Sequence, residues 1–258
     1  MSEPQGVDYG VDAPGVIRNL VLIGVTGLAV WASVWLHLWS GKIILGEIIL
    51  NVAGSGFGAG SACLAMALWM LWGSKIGKVR SRERLLDRIT WTGAEQVLDV
   101  GCGRGLMLIG AARRLSSGAA TGIDVWQSED LSGNHADAVL ENVRRSGVTQ
   151  QVRVETADMR RMPFAAESFD VIVSRAAIHN LYQPGERAQA LSEIVRVLKP
   201  GGHMLIDDIR HIGEYAALFS RAGCRDVRGY GSPVAAALLA VLTFGSLCPG
   251  TLVVRKNS

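Results

Sequence analysis

The chain has 258 residues, of which 49% are hydrophobic and 19% are charged, and its formal net charge is +3. The charged fraction is below the roughly 25% usual for soluble domains, and the mean hydropathy is +0.25. So mild a basic charge does not indicate a nucleic-acid-binding protein, which presents a basic cluster on its folded domain. The length accommodates one large α/β domain and a smaller unit.

Two long apolar segments follow a polar head at residues 1–15. They cover about residues 16–39 and 48–72, and each can form a helix of about 20 residues that crosses a hydrocarbon layer of about 30 Å. The connector Ser40–Lys42 reads as a tight turn. Residues 16–72 are therefore predicted to form a transmembrane helical hairpin. The alternative interpretation is a helical hairpin buried in a soluble core.

Small side chains in the second apolar segment favour close packing of the two helices. They are Gly54, Gly56, Gly58, Gly60 and Ser61. Basic residues crowd the exit of the same segment, in a predicted juxtamembrane helix or linker at residues 73–92, whereas the connector carries only Lys42. These basic residues are Lys75, Lys78, Arg80, Arg82, Arg84 and Arg88. The positive-inside rule then predicts a two-helix integral membrane protein with both ends cytoplasmic, which in a bacterial cell means the inner membrane.

Residues 93–258 alternate short β-rich runs with helix-length segments. The predicted strands cover residues 96–100, 119–125, 152–156, 169–174, 203–208, 224–231 and 252–255. Such alternation predicts a mostly parallel sheet covered by helices on both faces. An apolar insert at residues 233–249 separates the last two strands. Four cysteines without CxxC spacing indicate a reducing compartment and neither a disulfide framework nor a zinc site, and no other metal site is predicted.

A glycine-rich loop follows the first of these strands, in the sequence Val-Leu-Asp-Val-Gly-Cys-Gly-Arg-Gly at residues 97–105. Glycines let the backbone approach a ligand closely, and the amides at the start of the next helix favour polar or anionic groups. Asp124 ends the following strand, about twenty residues further on, where an acid meets ribose hydroxyls in Rossmann-like folds. The alternatives are a plain tight turn at the loop and a capping or exposed role for Asp124.

Four segments together resemble the class I S-adenosylmethionine-dependent methyltransferases in order and spacing, over about residues 80–258. They read VLDVGCGRG, GIDV, ETADMRRMPFAAESFDVIVS and EIVRVLKPGGHMLIDD. The resemblance implies an α/β, Rossmann-like, seven-stranded sheet whose last strand is antiparallel, with S-adenosyl-L-methionine as the cofactor. The fourth strand ends in Ser174-Arg175-Ala176-Ala177, unlike the Asn/Asp-Pro-Pro-Tyr motif of nucleic-acid amino methyltransferases, so no nucleic-acid partner is expected.

The resemblance also implies which residues bind the cofactor. Those around its methionine part are Asp99, Gly101, Cys102, Gly103 and Gly105. Those around its adenosine part are Asp124 at the ribose hydroxyls, and Val125, Trp126, Asp158 and Met159 at the adenine. Ser174 would hold the amino group of the cofactor and face the acceptor. The loop between Trp126 and the next helix is predicted to end in an Asn134 cap.

Catalytic candidates follow from the rule that ligands of such sheets lie beyond the carboxyl ends of the strands. His179 follows the fourth strand, and Asp207 and Asp208 end the fifth. A base is needed only if the methyl acceptor must lose a proton. Structural roles are the alternatives: a histidine with satisfied hydrogen bonds, and a pair of acids that cap a helix.

The membrane anchor favours a lipid-like or other apolar small-molecule acceptor. Two alternatives stay open: a methyltransferase for a soluble small molecule whose anchor only sets its location, and a cofactor-binding regulator without catalysis. Within the insert, residues 234–248 are too short to cross a membrane as a helix. They are interpreted as a membrane-dipping hairpin or interfacial helix beside the active site, with a buried core helix as the alternative.

Overall fold

The structure, a computed structural model, describes residues 3–127, 129, 131–243, 245 and 247–257. Parts of the loop after Trp126 and of the apolar insert, at positions 128, 130, 244 and 246, therefore lie outside the described residues. The chain forms two compact units. The sheet unit comprises Met1–Tyr9, Val79–Trp126 and Asn134–Ser258, and the hairpin unit comprises Gly10–Lys78 and Gln127–Gly133.

The hairpin unit contains two long helices joined by a small β-hairpin. Its elements are α1 (Pro14–Trp35), β1 (Lys42–Leu45), β2 (Ile48–Asn51) and α2 (Val52–Trp72). The tight turn expected at Ser40–Lys42 is wrong, because Lys42 starts a strand that pairs antiparallel with β2. The second helix starts at Val52 rather than at residue 48, since the Asn51 side chain caps it by accepting a hydrogen bond from the Ala53 amide.

Both long helices are apolar and exposed. Each contains an 18-residue window that is apolar enough to cross a membrane, and only 11% of that window is buried. A helical hairpin in the core of a soluble protein would bury its apolar side chains. Trp35 and Trp69, which lie at the ends of the two helices, are 68% and 69% exposed. The interpretation as a buried core hairpin therefore finds no support in this unit.

Glycines bring the two helices together along one stripe. A Cβ atom on Gly27 would lie 2.6 Å from the Gly56 carbonyl oxygen, and one on Gly60 would lie 2.9 Å from the Gly24 carbonyl oxygen. Gly56 and Gly60 are four residues apart and so share one helix face. Gly54 and Gly58 have nothing within 4 Å of their Cβ positions. Close packing was thus correctly expected, but only alternate glycines of the run produce it.

A π-helical turn (Gly73–Gly77) leads from α2 into α3 (Lys78–Leu86). Two of the basic residues counted for the positive-inside rule, Lys78 and Arg82, are buried. Lys78 donates a hydrogen bond to the Gly10 carbonyl and forms an ion pair with Asp12 at 3.2 Å. Arg82 is fully buried and forms ion pairs with Glu3 and Glu83. These two charges are neutralised inside the protein, so they add no exposed positive charge at the end of α2.

The first described residues of the polar head form part of the sheet unit. Residues 3–9, which we name the N-terminal strap, include Tyr9, whose side chain is buried. Glu3 accepts hydrogen bonds from Arg82 and Arg113. Burial alone would raise the pKa of Glu3, but the hydrogen bonds from these two guanidinium groups outweigh it and lower the pKa below its usual range.

The sheet unit is built on seven strands. They are β3 (Gln96–Val100), β4 (Ala119–Asp124), β5 (Val152–Thr156), β6 (Phe169–Arg175), β7 (Leu198–Asp208), β8 (Cys224–Tyr230) and β9 (Gly250–Lys256). Their order is β5-β4-β3-β6-β7-β9-β8, and β9 runs antiparallel to both neighbours. The seven-stranded, mostly parallel sheet implied by the resemblance is confirmed.

Helices cover both faces of this sheet. They are α4 (Leu106–Ala112), α5 (Ala136–Arg145), α6 (Pro184–Val197) and α7 (Ile212–Arg221), whereas α8 (Pro233–Leu242) lies in the connection between β8 and β9. Val97 and Leu98 are both fully buried although neighbouring side chains of a strand point to opposite faces. They belong to two separate hydrophobic clusters, one on each face. Because β3, β4, β6 and β7 run parallel to one another, their carboxyl ends meet at one edge of the sheet.

Candidate active site

The glycine-rich loop leaves β3 at this edge with three glycines in the left-handed region of φ. Their φ values are 72° at Gly101, 52° at Gly103 and 85° at Gly105. A Cβ atom on Gly101 would lie 2.3 Å from the Ala177 side chain. Only glycine fits this position, because backbone strain and a steric clash would both oppose any larger residue. The segment after β6 is thereby brought directly against the loop.

Asp124 links the end of β4 to the glycine loop. Its carboxylate accepts hydrogen bonds from the Gly103 amide at 2.8 Å and from the Trp126 amide at 2.7 Å. The Asn134 side chain donates a third, at 3.4 Å. The expected Asn134 cap is wrong, since the His135 side chain caps α5 instead. A carboxylate accepts about four hydrogen bonds, so Asp124 keeps capacity for a ligand hydroxyl.

The predicted adenine residues lie at the ends of β4 and β5. Trp126 donates from its indole nitrogen to Thr156 Oγ1 at 2.7 Å, and Val125 is 48% exposed. Met159 approaches the glycine loop, with its Cε atom 3.6 Å from the Cβ position of Gly101. Asp158 forms an ion pair with Arg160, whose hydrogen bonds lower the pKa of the carboxyl group below its usual range. Asp158 can reach an adenine amine only by sharing its oxygens with Arg160.

Two of the residues predicted to bind the cofactor, Ser174 and Cys102, have buried side chains that contact the protein itself. The Ser174 hydroxyl is buried and donates to the Val100 carbonyl at 2.8 Å, which ties β6 to the end of β3. The Cys102 thiol is buried, and its sulfur would lie 2.9 Å from a Cβ atom on Gly122. Burial raises the pKa of this thiol. Cys102 therefore offers a ligand its backbone and not its sulfur.

Asp99, next to the glycine loop, is a buried acid whose oxygens have no hydrogen-bond partner among the described residues. Burial raises its pKa from 3.8 to about 8; the nearby Leu108 amide opposes this only in part, and the negative charge of Asp124 raises the pKa further. An unpartnered buried carboxyl group is costly unless a ligand supplies a donor or a positive charge. Its place beside the loop fits a cationic ligand group there.

His179 and Asp208 form a hydrogen-bonded pair across the ends of β6 and β7. The His179 Nδ1 atom lies 2.5 Å from Asp208 Oδ1, and the His179 amide donates to Asp208 Oδ2 at 3.0 Å. The Asp208 carboxylate also accepts from the Ile209 amide and, at 3.3 Å, from the Tyr215 hydroxyl. Because Asp208 accepts the proton on Nδ1, the Nε2 atom keeps its lone pair and can act as a base. Nε2 has no partner within the described part of the chain.

Asp207 is arranged differently from its neighbour. It forms an ion pair with Arg175 at 3.0 Å and accepts a hydrogen bond from the Thr251 hydroxyl at 2.6 Å. These contacts link β7 to β6 on one side and to β9 on the other. The three predicted catalytic residues thus separate into a His179–Asp208 pair at the site and an Asp207 that connects strands.

The sequence reading missed two contributors, Tyr215 and Asn142. Tyr215 is fully buried on α7 and donates to Asp208. Burial raises its pKa, which keeps the hydroxyl protonated. Asn142 on α5 donates to the carbonyls of Asp8 and of Arg104 in the glycine loop, both at 2.9 Å. Neither belongs to a motif, and each resembles an ordinary residue of an amphipathic helix.

A cavity of about 610 Å³ opens at the opposite edge of the sheet unit. The Lys199–Asp170 ion pair, His203 and Arg255 line part of it. None of the predicted site residues lines this cavity. Ligands of parallel α/β sheets bind beyond the carboxyl ends of the strands, so the glycine loop and the His179–Asp208 pair define the better site.

Comparison with known proteins gives the class of this site. Residues 97–202 match the protein family described as "Methyltransferase domain". The chain is 35% identical over 130 residues to Methyltransferase GfsG of Streptomyces halstedii, covering 50% of this chain and 43% of that one. It is 34% identical over 126 residues to the ubiquinone/menaquinone biosynthesis C-methyltransferase UbiE of Geotalea daltonii, covering 48% and 50%. The chain spans about half the length of these curated relatives.

A solved structure shows the same fold. The geranyl diphosphate C-methyltransferase of Streptomyces coelicolor A3(2), crystallised with S-adenosyl-L-homocysteine, matches with a TM-score of 0.54 and 15% identity, covering 69% of this chain and 75% of that one. Residues 97–202 therefore match a methyltransferase domain, and the sheet unit has the fold of a methyltransferase crystallised with S-adenosyl-L-homocysteine, the form that S-adenosylmethionine takes after it has lost its methyl group. The unpartnered Asp99 and the remaining acceptor capacity of Asp124 fit this cofactor.

The raised pKa of Asp99 predicts that cofactor binding releases a proton. Since the pKa is about 8, the carboxyl group is mostly protonated at pH 7, and the cationic amino group of the cofactor stabilises the ionised form. We expect release of up to about one proton per cofactor bound at pH 7. Titration calorimetry in buffers of different ionisation enthalpy measures it, and Asp99→Asn should abolish it. Equal apparent enthalpies in all buffers for the unmodified protein would contradict the assignment.

Proposed function

We propose that this chain is a membrane-bound methyltransferase that transfers a methyl group from S-adenosylmethionine to a lipid-like or other apolar small-molecule acceptor. The observation that carries this proposal is the exposed apolar hairpin in the same chain as the methyltransferase domain. A site tethered at a membrane meets apolar acceptors at high local concentration. The relative UbiE is named for ubiquinone and menaquinone biosynthesis, which is compatible with an apolar acceptor.

The chemistry of the site follows from its residues. S-adenosylmethionine, when bound, supplies a methyl group on a positively charged sulfur and leaves as S-adenosylhomocysteine. The glycine loop, Asp99 and Asp124 bind and orient it, and orientation contributes much of the acceleration in an in-line displacement. His179 Nε2 takes the proton that the acceptor loses when its nucleophilic atom bonds to the methyl carbon. Asp208 is the positioning residue, because its hydrogen bond to Nδ1 holds the imidazole ring in place.

The segment that leads from β6 to this base contains two apolar residues, Ala177 and Ile178, which are buried, and the nearby Tyr182 is 80% exposed. We propose that an apolar acceptor with one hydroxyl or acidic carbon approaches His179 beside this segment.

One experiment separates this proposal from its two alternatives. The full chain in membranes is incubated with S-adenosylmethionine radiolabelled in its methyl group. The reaction is then extracted, and the label is measured in the organic phase and in the aqueous phase. Label in the organic phase of the membrane extract supports the proposal. Label in a water-soluble product would support a soluble acceptor, with the anchor serving only location. Bound cofactor without any labelled product would favour a non-catalytic regulator.

The membrane topology gives a further prediction. Glu47 lies in the exposed turn between β1 and β2, which makes it a better probe than the buried Gly41. In a chain whose exposed Cys248 is replaced by serine, Glu47→Cys should react with an impermeant thiol reagent outside intact cells. Leu140→Cys, exposed on the sheet unit, should react only after permeabilisation. The reverse pattern of labelling would overturn the cytoplasmic placement of the methyltransferase domain.

A further inference from the structure

The connection between β8 and β9 is unusual in its composition. No charged residue occurs between Arg228 and Arg255. Within this stretch the structure contains the helix α8, Pro233–Leu242, which is too short to cross a membrane. Helices that cover a sheet normally direct their apolar side chains inward and polar ones outward. An all-apolar helix at the surface of a domain needs a separate explanation.

One face of α8 is both apolar and exposed. Val234, Leu238 and Val241 are 76%, 58% and 74% exposed, and their spacing of four and three residues places them along one stripe. Leu239 and Ala240, on the other side, are half-buried. The helix therefore presents a row of large apolar side chains on one face. This exposure contradicts the alternative of a buried core helix for this part of the insert.

The topology places α8 at the edge of the sheet that carries the site. Since β9 is antiparallel to β7, it begins where β7 ends, and Gly250 pairs with Asp208. At the end of the insert, the Cys248 amide donates to the Ile209 carbonyl at 2.8 Å. Ile209 directly follows Asp208, the partner of His179. The apolar helix consequently leaves and rejoins the fold beside the proposed acceptor site.

Basic residues flank the apolar stripe. The Arg88 guanidinium lies 3.9 Å from the ring centroid of Tyr230, three residues before α8 begins. Arg228 is exposed at the end of β8, where its acidic neighbour Asp226 is 3.6 Å away. Arg210 follows the residue that binds the end of the insert. An apolar helix face with cations at its rim is complementary to an anionic lipid surface, where apolar side chains enter the acyl boundary and cations meet headgroups.

We propose that α8 is an interfacial helix whose Val234–Leu238–Val241 face inserts into the headgroup and acyl boundary of an anionic bilayer. The lipid surface itself is the partner that this face of α8 contacts. The inference rests on the membrane location in the proposed function and deepens it, because it gives an apolar acceptor a direct route from the bilayer to His179. It does not depend on which acceptor is methylated.

Photo-crosslinking at single positions tests this proposal on the full chain. The photoreactive residue p-benzoylphenylalanine replaces Leu238, in vesicles of phosphatidylethanolamine and phosphatidylglycerol with radiolabelled lipid. Leu140, an apolar residue on α5 that is 49% exposed, is the matched control, and Leu68 on α2, 67% exposed, is the positive control. We expect lipid adducts at position 238 to exceed those at position 140 by about 10-fold and to approach those at position 68.

The other outcomes are distinguishable. Lipid adducts at position 68 without any at 238 would overturn the interfacial helix and leave the membrane location standing. Protein adducts at 238 with a second copy of the chain would also overturn it, by assigning the face to a subunit contact. An absence of adducts at position 68 would remove the membrane location and this inference together. Calorimetric binding of S-adenosylmethionine establishes that each variant is folded, and Val241 serves as the second position if the variant at Leu238 does not bind it.

Discussion

Replacing His179 by alanine is expected to lower the rate of methyl transfer by about 10²- to 10⁴-fold, the usual contribution of a positioned general base. Cofactor affinity should change little, because the imidazole is proposed to face the acceptor and, among the described residues, its side-chain partner is Asp208. The measurement is the initial rate of label transfer from S-adenosylmethionine into the organic phase of a membrane extract. Cofactor affinity is measured by calorimetry on the same preparation.

His211 provides the matched control for this experiment. It lies at the same edge of the sheet, three residues after Asp208, and its side chain is 35% exposed. His211→Ala should leave the rate of transfer close to that of the unmodified protein. A folded His179→Ala variant with an undiminished rate would show that the acceptor loses no proton to this residue.

Replacing Asp124 by alanine is expected to weaken cofactor binding by about 1.5–3 kcal/mol, the range for hydrogen bonds to a charged group. This corresponds to a dissociation constant raised by roughly 10- to 150-fold. Two effects act in the same direction: the ribose hydroxyls lose their acceptor, and the Gly103 and Trp126 amides lose the carboxylate that holds the loop. Calorimetry with S-adenosylmethionine measures the change.

Asp124→Asn and Glu155→Gln sharpen this test. The asparagine variant keeps a carbonyl oxygen for the amides of the loop and should lose less affinity than the alanine variant. Glu155 is an exposed acid on the adjacent strand β5, so its replacement removes a nearby negative charge without touching the loop. Unchanged affinity in a folded Asp124→Ala variant would remove Asp124 from the cofactor site.

Local patterns were sufficient to predict the sheet and the glycine loop. The β3 strand was predicted with its observed bounds, because a short apolar run that ends in glycines needing positive φ has few other conformations. The small β-hairpin was missed for a local reason: Ile48–Asn51 is as apolar as the helix that follows, so hydropathy alone does not separate strand from helix. Only the capping role of Asn51 marks the boundary.

Contacts between residues distant in sequence could not be predicted. Glu3 pairs with Arg82 and Arg113, so Arg82 is a buried charge although it belongs to the basic run that follows the second apolar segment. Neither the hydrophobic periodicity of the sequence nor the spacing of its motifs indicates such a pairing. The same holds for Tyr215, which reaches Asp208 from the next helix. His179 was correctly predicted to follow β6, but its hydrogen bond to Asp208 depends on the register of β6 against β7.

The N-terminal strap restricts how this chain can be threaded through a bilayer. Residues 3–9 bind the sheet unit through Glu3, Tyr9 and Asp8, so the beginning of the chain and the methyltransferase domain must share one compartment. If α1 crosses a bilayer, α2 must cross it again in the opposite direction. With an odd number of crossings, the strap and its partners in the sheet unit would lie on opposite sides and could not be in contact. The strap reaches Arg82 and Asn142 only after both helices have been synthesised. If the hairpin is inserted into a bilayer as proposed, residues 3–9 therefore remain on the same side as the methyltransferase domain throughout.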